Sequence, residues 1–178
     1  MSSPLAEAFA ASSELSDSKA QMTALEKIIA DPAADVDALA VKEQAVVRLG
    51  ELLAEHKLAD KIIALVASLR PFFAQVAKAK TAKIVRTLID QLAKIPGTSE
   101  LQMQLCRDSI AWCKAEKRSF LRQRIEAKLG ALLLEAKKYT EALALLEELL
   151  REVKRCAAHH RRQPRVRVHT HARTPAHT

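Results

Sequence analysis

Glycine and proline are scarce in this sequence, three and six in 178 residues, and aromatic side chains make up only 3% of it. Such a chain has little material for the tight turns between strands, so a β-rich fold is disfavoured at once. Cysteine is confined to Cys106, Cys113 and Cys156, an odd number without tight spacing. That excludes a secreted disulfide framework and fits a reducing compartment. No apolar run approaches the ~18 residues that suggest a membrane span. The sequence also lacks a Gly-rich phosphate loop, a His-Glu-x-x-His pair, a Cys-x-x-Cys and a Gly-x-Ser-x-Gly turn, and no catalytic, cofactor-binding or metal-ligating residue is assigned.

What is present favours helix. Apolar residues make up 49% of the chain, and Ala, Leu, Glu, Lys and Arg are abundant. A single domain of this size buries about two-thirds of its unfolded surface, enough for a real core. The net charge is +8, but five arginines and no acid follow Cys156, which leaves only +3 on residues 1–155. The opening MSSPLAEAFAASSELSDS lacks a basic start and an apolar stretch, and it carries Glu7, Glu14 and Asp17. It is therefore expected to be mature chain rather than a targeting segment.

Apolar residues recur at helical spacing almost throughout, with short polar or Pro/Gly breaks. A short first helix starts at Ser3-Pro4. Ser18 with Gln21 has capping-box spacing for a second, ending near Ala30. The third spans about Val36 to Glu55, and the fourth about Leu58 to Leu69, stopped by Pro71. The fifth runs from about Lys78 to Ala93 before the break IPGTSE. A sixth begins with a capping box at Ser99 and Gln102, a seventh covers about Phe120 to Ala136, and an eighth about Thr140 to Arg155.

The stretch LGELLAEHKLADKIIAL from Leu49 is echoed by LGALLLEAKKYTEALAL from Leu129, with one residue skipped near Lys138. The offset of about 80 is twice a 40-residue period, the range of two-helix solenoid repeats. Leu129, Gly130, Leu133, Tyr139, Ala142 and Leu146 then fall where a tetratricopeptide repeat places its packing residues. Small Gly130 and Ala142 would let the helices approach, Tyr139 would plug the bend, and Thr140 would cap the next helix, leaving the lysines of KKYT solvated. The fold class predicted is all-α, a right-handed solenoid of antiparallel helical hairpins. Residues 1–17 form an N-terminal segment with a short helix, 18–155 the solenoid, and 156–178 a basic tail.

His56 is expected at a helix end, solvated or capping. Cys106 and Cys113 lie two turns apart on one face and are expected as small buried hydrophobes. Trp112 beside them fits a packing role. Two basic clusters stand out: Lys78, Lys80, Lys83 and Arg86, then Lys114, Lys117, Arg118, Arg122, Arg124 and Lys128. Of these, Lys78, Lys83, Arg86, Lys117, Arg118 and Arg122 form the candidate interaction surface. A solvated face and an acidic protein surface both fit them. Nucleic acid fits least, since no aromatic residues alternate with the lysines as stacking platforms.

The tail CAAHHRRQPRVRVHTHARTPAHT holds five of the six histidines and shows no apolar periodicity, so disorder is expected there. Cys156 with its histidines offers metal donors but no folded frame to set their geometry.

Three long runs, VKEQAVVRLGELLAEHK, LRPFFAQVAKAKTAKIVRTLID and the stretch from Cys106 to Lys154, resemble the N-terminal solenoid of the 26S proteasome non-ATPase regulatory subunit 11 family. The resemblance covers roughly residues 18–155. It implies a non-catalytic scaffold of the regulatory particle lid, whose N-terminal arm contacts the core α-ring and the ATPase ring. It further implies other lid, ATPase-ring and core α subunits as partners, no membrane, and a place in cytoplasm and nucleus. The family continues into a PCI domain that this sequence lacks, and a truncated product with an unrelated tail is expected. The last helix would then lose cover on the side carrying Ala142, Leu146, Leu149 and Val153, with Leu143 and Leu150 beside it. If Leu146 is buried there, Leu146→Ala should cost about 2–5 kcal/mol. The other reading is a free-standing helical-repeat adaptor that binds acidic partners or RNA through charge.

Overall fold

A computed structural model describes the backbone of residues 4–162 and the side chains of residues 4–155. Its helices in chain order are α1 (Pro4–Ser13), α2 (Ser18–Ala30), α3 (Val36–Glu55), α4 (Ala59–Ser68), α5 (Arg70–Gln75), α6 (Lys78–Ala93), α7 (Ser99–Ala115), α8 (Ser119–Glu135) and α9 (Tyr139–Arg162). No strand occurs among the described residues. Helices adjacent in sequence pack on one another, most extensively α7 on α8, α8 on α9 and α2 on α3, and also α1 on α2, α3 on α4 and α6 on α7. Further contacts of α1 with α3 and of α3 with α6 stack these hairpins into a solenoid around one continuous core, from Met22 to Ala142.

Three turns are built alike. After α3, α7 and α8 the chain passes through Lys57, Lys117 and Lys137 with φ of 58°, 52° and 59°, the left-handed region that helix-ending glycines usually occupy. The residue after each lysine returns its N–H to the carbonyl five positions back: Leu58 to Leu53 at 2.8 Å, Arg118 to Cys113 at 2.9 Å, and Lys138 to Leu133 at 2.8 Å. Each lysine N–H bonds the carbonyl three back, completing a Schellman motif. Lys57 and Lys137 are 80 residues apart, so the echo runs through the turn unbroken and no residue is skipped near Lys138.

Several expectations about helix ends are corrected. Asp17, not Ser18, caps α2, accepting from Lys19 and Ala20 N–H at 3.2 Å each. At α7 the Ser99/Gln102 box does not form. Buried Thr98 instead donates to the Leu92 and Ile95 carbonyls at 3.0 and 2.7 Å and accepts from Gln102 Nε2 at 3.1 Å, so it fastens the end of α6 to the start of α7. Pro71 does not merely end a helix. It lies in the first turn of α5, where a missing N–H costs nothing, and α5 follows α4 with only Leu69 between them. Lys42 in α3 is buried, and its ammonium donates to the carbonyls of Asp31 and Ala33, closing the loop between α2 and α3.

The last helix differs most. It starts at Tyr139, so Thr140 lies within it rather than capping it, and it continues to Arg162, seven residues past the expected end. The rest of the tail, and its histidine side chains, lie outside the described residues. Tyr139 is 56% exposed and does not plug the bend. Lys137 is exposed, and Lys138, still partly in solvent, pairs with Glu100 at 2.8 Å in an exposed link between the start of α9 and α7.

Candidate functional site: a basic interhelical groove

Among the predicted repeat-packing residues, Leu129, Gly130, Leu133 and Ala142 are buried, and Leu146 is half-buried. The close approach is between Gly130 and Leu146: a Cβ on the glycine would stand 2.8 Å from Leu146 Cδ2. Gly50, the counterpart of Gly130 in the echo, meets Leu88 of α6 rather than a residue of α4. The same sequence signal thus serves a contact within one hairpin and a contact between two.

Cys106 and Cys113 are buried, as their spacing predicted. Burial pushes both thiols up to about 11, against the opposing charges of Lys128 and Arg107 at the first and of Arg118 and Arg122 at the second. They are protonated, poorly nucleophilic core residues at neutral pH. His56 caps α3, with its N–H on the Leu52 carbonyl at 3.0 Å, and its side chain is exposed.

The six candidate surface cations separate into two groups. Arg122 is internal. It binds Glu126 at 2.9 Å and Glu152 at 2.5 Å, with 14% of its side chain exposed, and so clamps α9 onto α8. The hydrogen bond to Glu152 is the main cause that raises the arginine's pKa, and the same bond lowers that of Glu152. Arg118 is partly internal too: Nη2 donates to the Phe73 carbonyl at 2.9 Å, and the guanidinium lies 4.9 Å from the Trp112 ring centroid. Trp112 in turn packs on Phe73 at 5.6 Å, so this cluster joins α5 to the α7–α8 turn. Lys78, Lys83, Arg86 and Lys117 are exposed.

Folding brings the two basic clusters together. A groove of about 510 Å³ between α6 and α8 is lined by Lys78, Ala79, Ala82, Arg86, Lys117, Arg118, Ser119, Phe120, Leu121 and Arg124. Its charged lining is wholly cationic. It shares Arg86 and Arg124 with a shallower depression of about 300 Å³, where Lys128 reaches Asp90 at 3.6 Å. Lys83 does not line either space.

Phe120 is the residue that sequence reasoning missed. It is 67% exposed, with the Arg124 guanidinium 4.8 Å from its ring centroid. An aromatic does therefore stand among the cations. Its signal in the sequence was a phenylalanine beside Lys117 and Arg118, at the first turn of a helix whose Leu121, Ile125, Leu129, Leu132 and Leu133 turn inward.

Stacked hairpins with an open, charged groove define a helical-repeat protein. The chain belongs to the family described as the 26S proteasome regulatory subunit RPN6 N-terminal domain, whose model matches residues 1–137. It is 50% identical over 139 residues to an Arabidopsis thaliana 26S proteasome non-ATPase regulatory subunit 11 homolog, a match covering 78% of this chain and 33% of that protein. It is 42% identical to the Dictyostelium discoideum 26S proteasome non-ATPase regulatory subunit 11 over 65% of this chain and 28% of the relative. The probable 26S proteasome regulatory subunit rpn6 of Schizosaccharomyces pombe is 41% identical over 64% of this chain and 27% of its own length. The matched stretch thus spans a third or less of these three relatives. The family model ends at Lys137, the turn between α8 and α9.

Proposed function

We propose that this chain is a non-catalytic scaffold of the 26S proteasome regulatory particle lid, an arm that contacts the core α-ring and the ATPase ring. The observation that carries this reading is the family match over 137 residues, which coincides with the hairpin stack from α1 to the end of α8. A stack of this kind offers long continuous faces at fixed spacing, which suits spanning the surfaces of neighbouring subunits. Its partners are other lid subunits, the ATPase ring and core α subunits, and its place is the cytoplasm and nucleus. Among the described residues no helix is long and apolar enough to cross a membrane.

The test is a pull-down of the full 178-residue chain on purified 20S and 26S particles. Retention on the 20S core alone is the expected result, and retention on neither particle overturns the proposal. Affinity for RNA that collapses with added salt and disappears when residues 156–178 are deleted would move the assignment to a charge-driven adaptor.

A further inference from the structure

We infer that the groove between α6 and α8 is a docking site for an acidic peptide segment with an apolar anchor residue; this rests on the arm reading and names the chemistry of its contact. Four observations converge on it. Lys78 and Arg86 on one wall face Lys117, Arg118 and Arg124 on the other, and no carboxylate lines the groove.

The groove also opens at the starts of both helices, and these starts are unusual within the molecule. Helices α2 and α3 are capped by Asp17 and Asp35, and α1, α4, α7 and α9 each carry an acid in the first turn. Helices α6 and α8 have neither a side-chain cap nor a first-turn acid, a lack they share only with the six-residue α5 among the described helices. Their first-turn N–H groups and dipoles therefore add to the positive potential of the side chains instead of being offset by the chain's own carboxylates.

Third, Arg118 Nη1 is covered yet has no hydrogen-bond acceptor among the described residues. A covered, unpaired guanidinium nitrogen is costly; no carboxylate among the described residues neutralises Arg118, and a ligand carboxylate would meet its charge at the groove wall and this nitrogen only on a shift of that wall.

Fourth, the groove has an apolar component. Phe120 stands at 67% exposure beside Ala79, Ala82 and Leu121. A purely charged ligand would leave that ring in water, whereas a peptide with a leucine or phenylalanine between its carboxylates would cover it. RNA is the competing polyanion, but a single aromatic ring does not give the succession of stacking platforms that strand binding uses. Charge here would set encounter and orientation, and Phe120 the anchor.

The experiment uses the full chain and fluorescence anisotropy with three labelled probes: a helical peptide with glutamates flanking a leucine, the same peptide with glutamine for glutamate, and oligouridylate. The acidic peptide should bind, with affinity falling as salt rises, and the glutamine peptide should not. Arg86→Glu and Arg124→Glu should each weaken the acidic peptide about tenfold or more, and Phe120→Ala several-fold. These side chains are exposed, and unchanged helicity by circular dichroism would show that the variants fold. The inference is overturned by equal binding of the glutamine peptide, by tighter binding of oligouridylate, by indifference to all three substitutions, or by no binding of any probe.

Retention on the 20S core separates this inference from the arm reading. If the Arg124→Glu chain loses the peptide but keeps the core, the groove is not the arm's contact and the arm reading stands. If the unaltered chain binds the peptide but no particle, the arm reading falls and the groove's chemistry stands.

Discussion

Gly50 and Leu88 occupy adjoining space so closely that a Cβ on the glycine would stand 2.5 Å from the leucine's Cδ2. Leu88 is fully buried, so its side chain must give way within the core rather than into solvent. Gly50→Ala should therefore cost about 1–2 kcal/mol, because overpacking outweighs the ~1 kcal/mol that alanine gains as a helix former. At Gly130 the contact is Leu146, which is half-buried and can yield. Gly130→Ala should be within about 0.5 kcal/mol of neutral. Chemical denaturation of both variants checks the contrast. The same half-burial places Leu146→Ala near the lower end of the 2–5 kcal/mol expected for a buried leucine, about 2 kcal/mol.

The three lysine turns hold an ordinary side chain in a backbone region that costs L-residues about 1–2 kcal/mol. Lys57→Gly and Lys137→Gly should each raise stability by about 0.5–1 kcal/mol, the relief of strain exceeding the extra freedom glycine gives the unfolded chain. Lys137→Val, a β-branched residue forced to the same φ, should lower the melting temperature. A melt in which glycine is worse than lysine at both positions would refute the turn geometry.

Arg122 holds two carboxylates at once, and removing it strands Glu126, which is itself buried. Arg122→Gln should cost about 3 kcal/mol at neutral pH, and Glu152→Gln distinctly less. The pH dependence follows from the lowered pKa of Glu152. A carboxyl whose folded-state pKa lies below its unfolded value stabilises fully above the unfolded value, and that contribution fades as pH falls through the folded one. The stability gap between the unaltered chain and Glu152→Gln should thus be constant near neutrality and shrink on acidification below about 4.5. A gap that widened in acid would contradict the clamp.

Helix α9 shows Tyr139, Leu143, Leu150 and Val153 at 45–61% exposure, alternating four and three residues apart once half-buried Leu146 is included. An apolar stripe of that spacing is a seam for another helix. The isolated 178-residue chain should bind a hydrophobic dye and self-associate as concentration rises. Leu143→Gln with Leu150→Gln should reduce both without loss of helix. A monomer at all concentrations with no dye binding would show that the stripe is covered.

Much of the helical plan was legible because it depends on local pattern. Val36–Glu55 and Lys78–Ala93 follow directly from apolar spacing and from the breaks beside them. The capping residues were less legible, since Asp17-Ser18 and Thr98-Ser99 each offer two adjacent candidates, and only the path of the chain selects one. Helix α5 was hidden because Pro71 ends one helix and opens another with equal ease. The groove was half-visible. Both basic clusters were apparent as runs, but which cations face solvent depends on tertiary neighbours: Arg118 on Phe73, and Arg122 on Glu152, 30 residues away. Phe120 reads only as the start of a helix, because nothing in the local sequence says that α8 turns this side chain outward.

The bracket of Phe73, Trp112 and Arg118 has an optical consequence. Trp112 is the chain's one indole, so indole emission comes from a single spot inside the stack, the junction of α5 with the α7–α8 turn, while dichroism averages over every helix. Monitoring both signals through a melt distinguishes a stack that dissolves as one unit from one that frays inward from its ends, since only in the second case does the glow at the junction outlast the loss of helix.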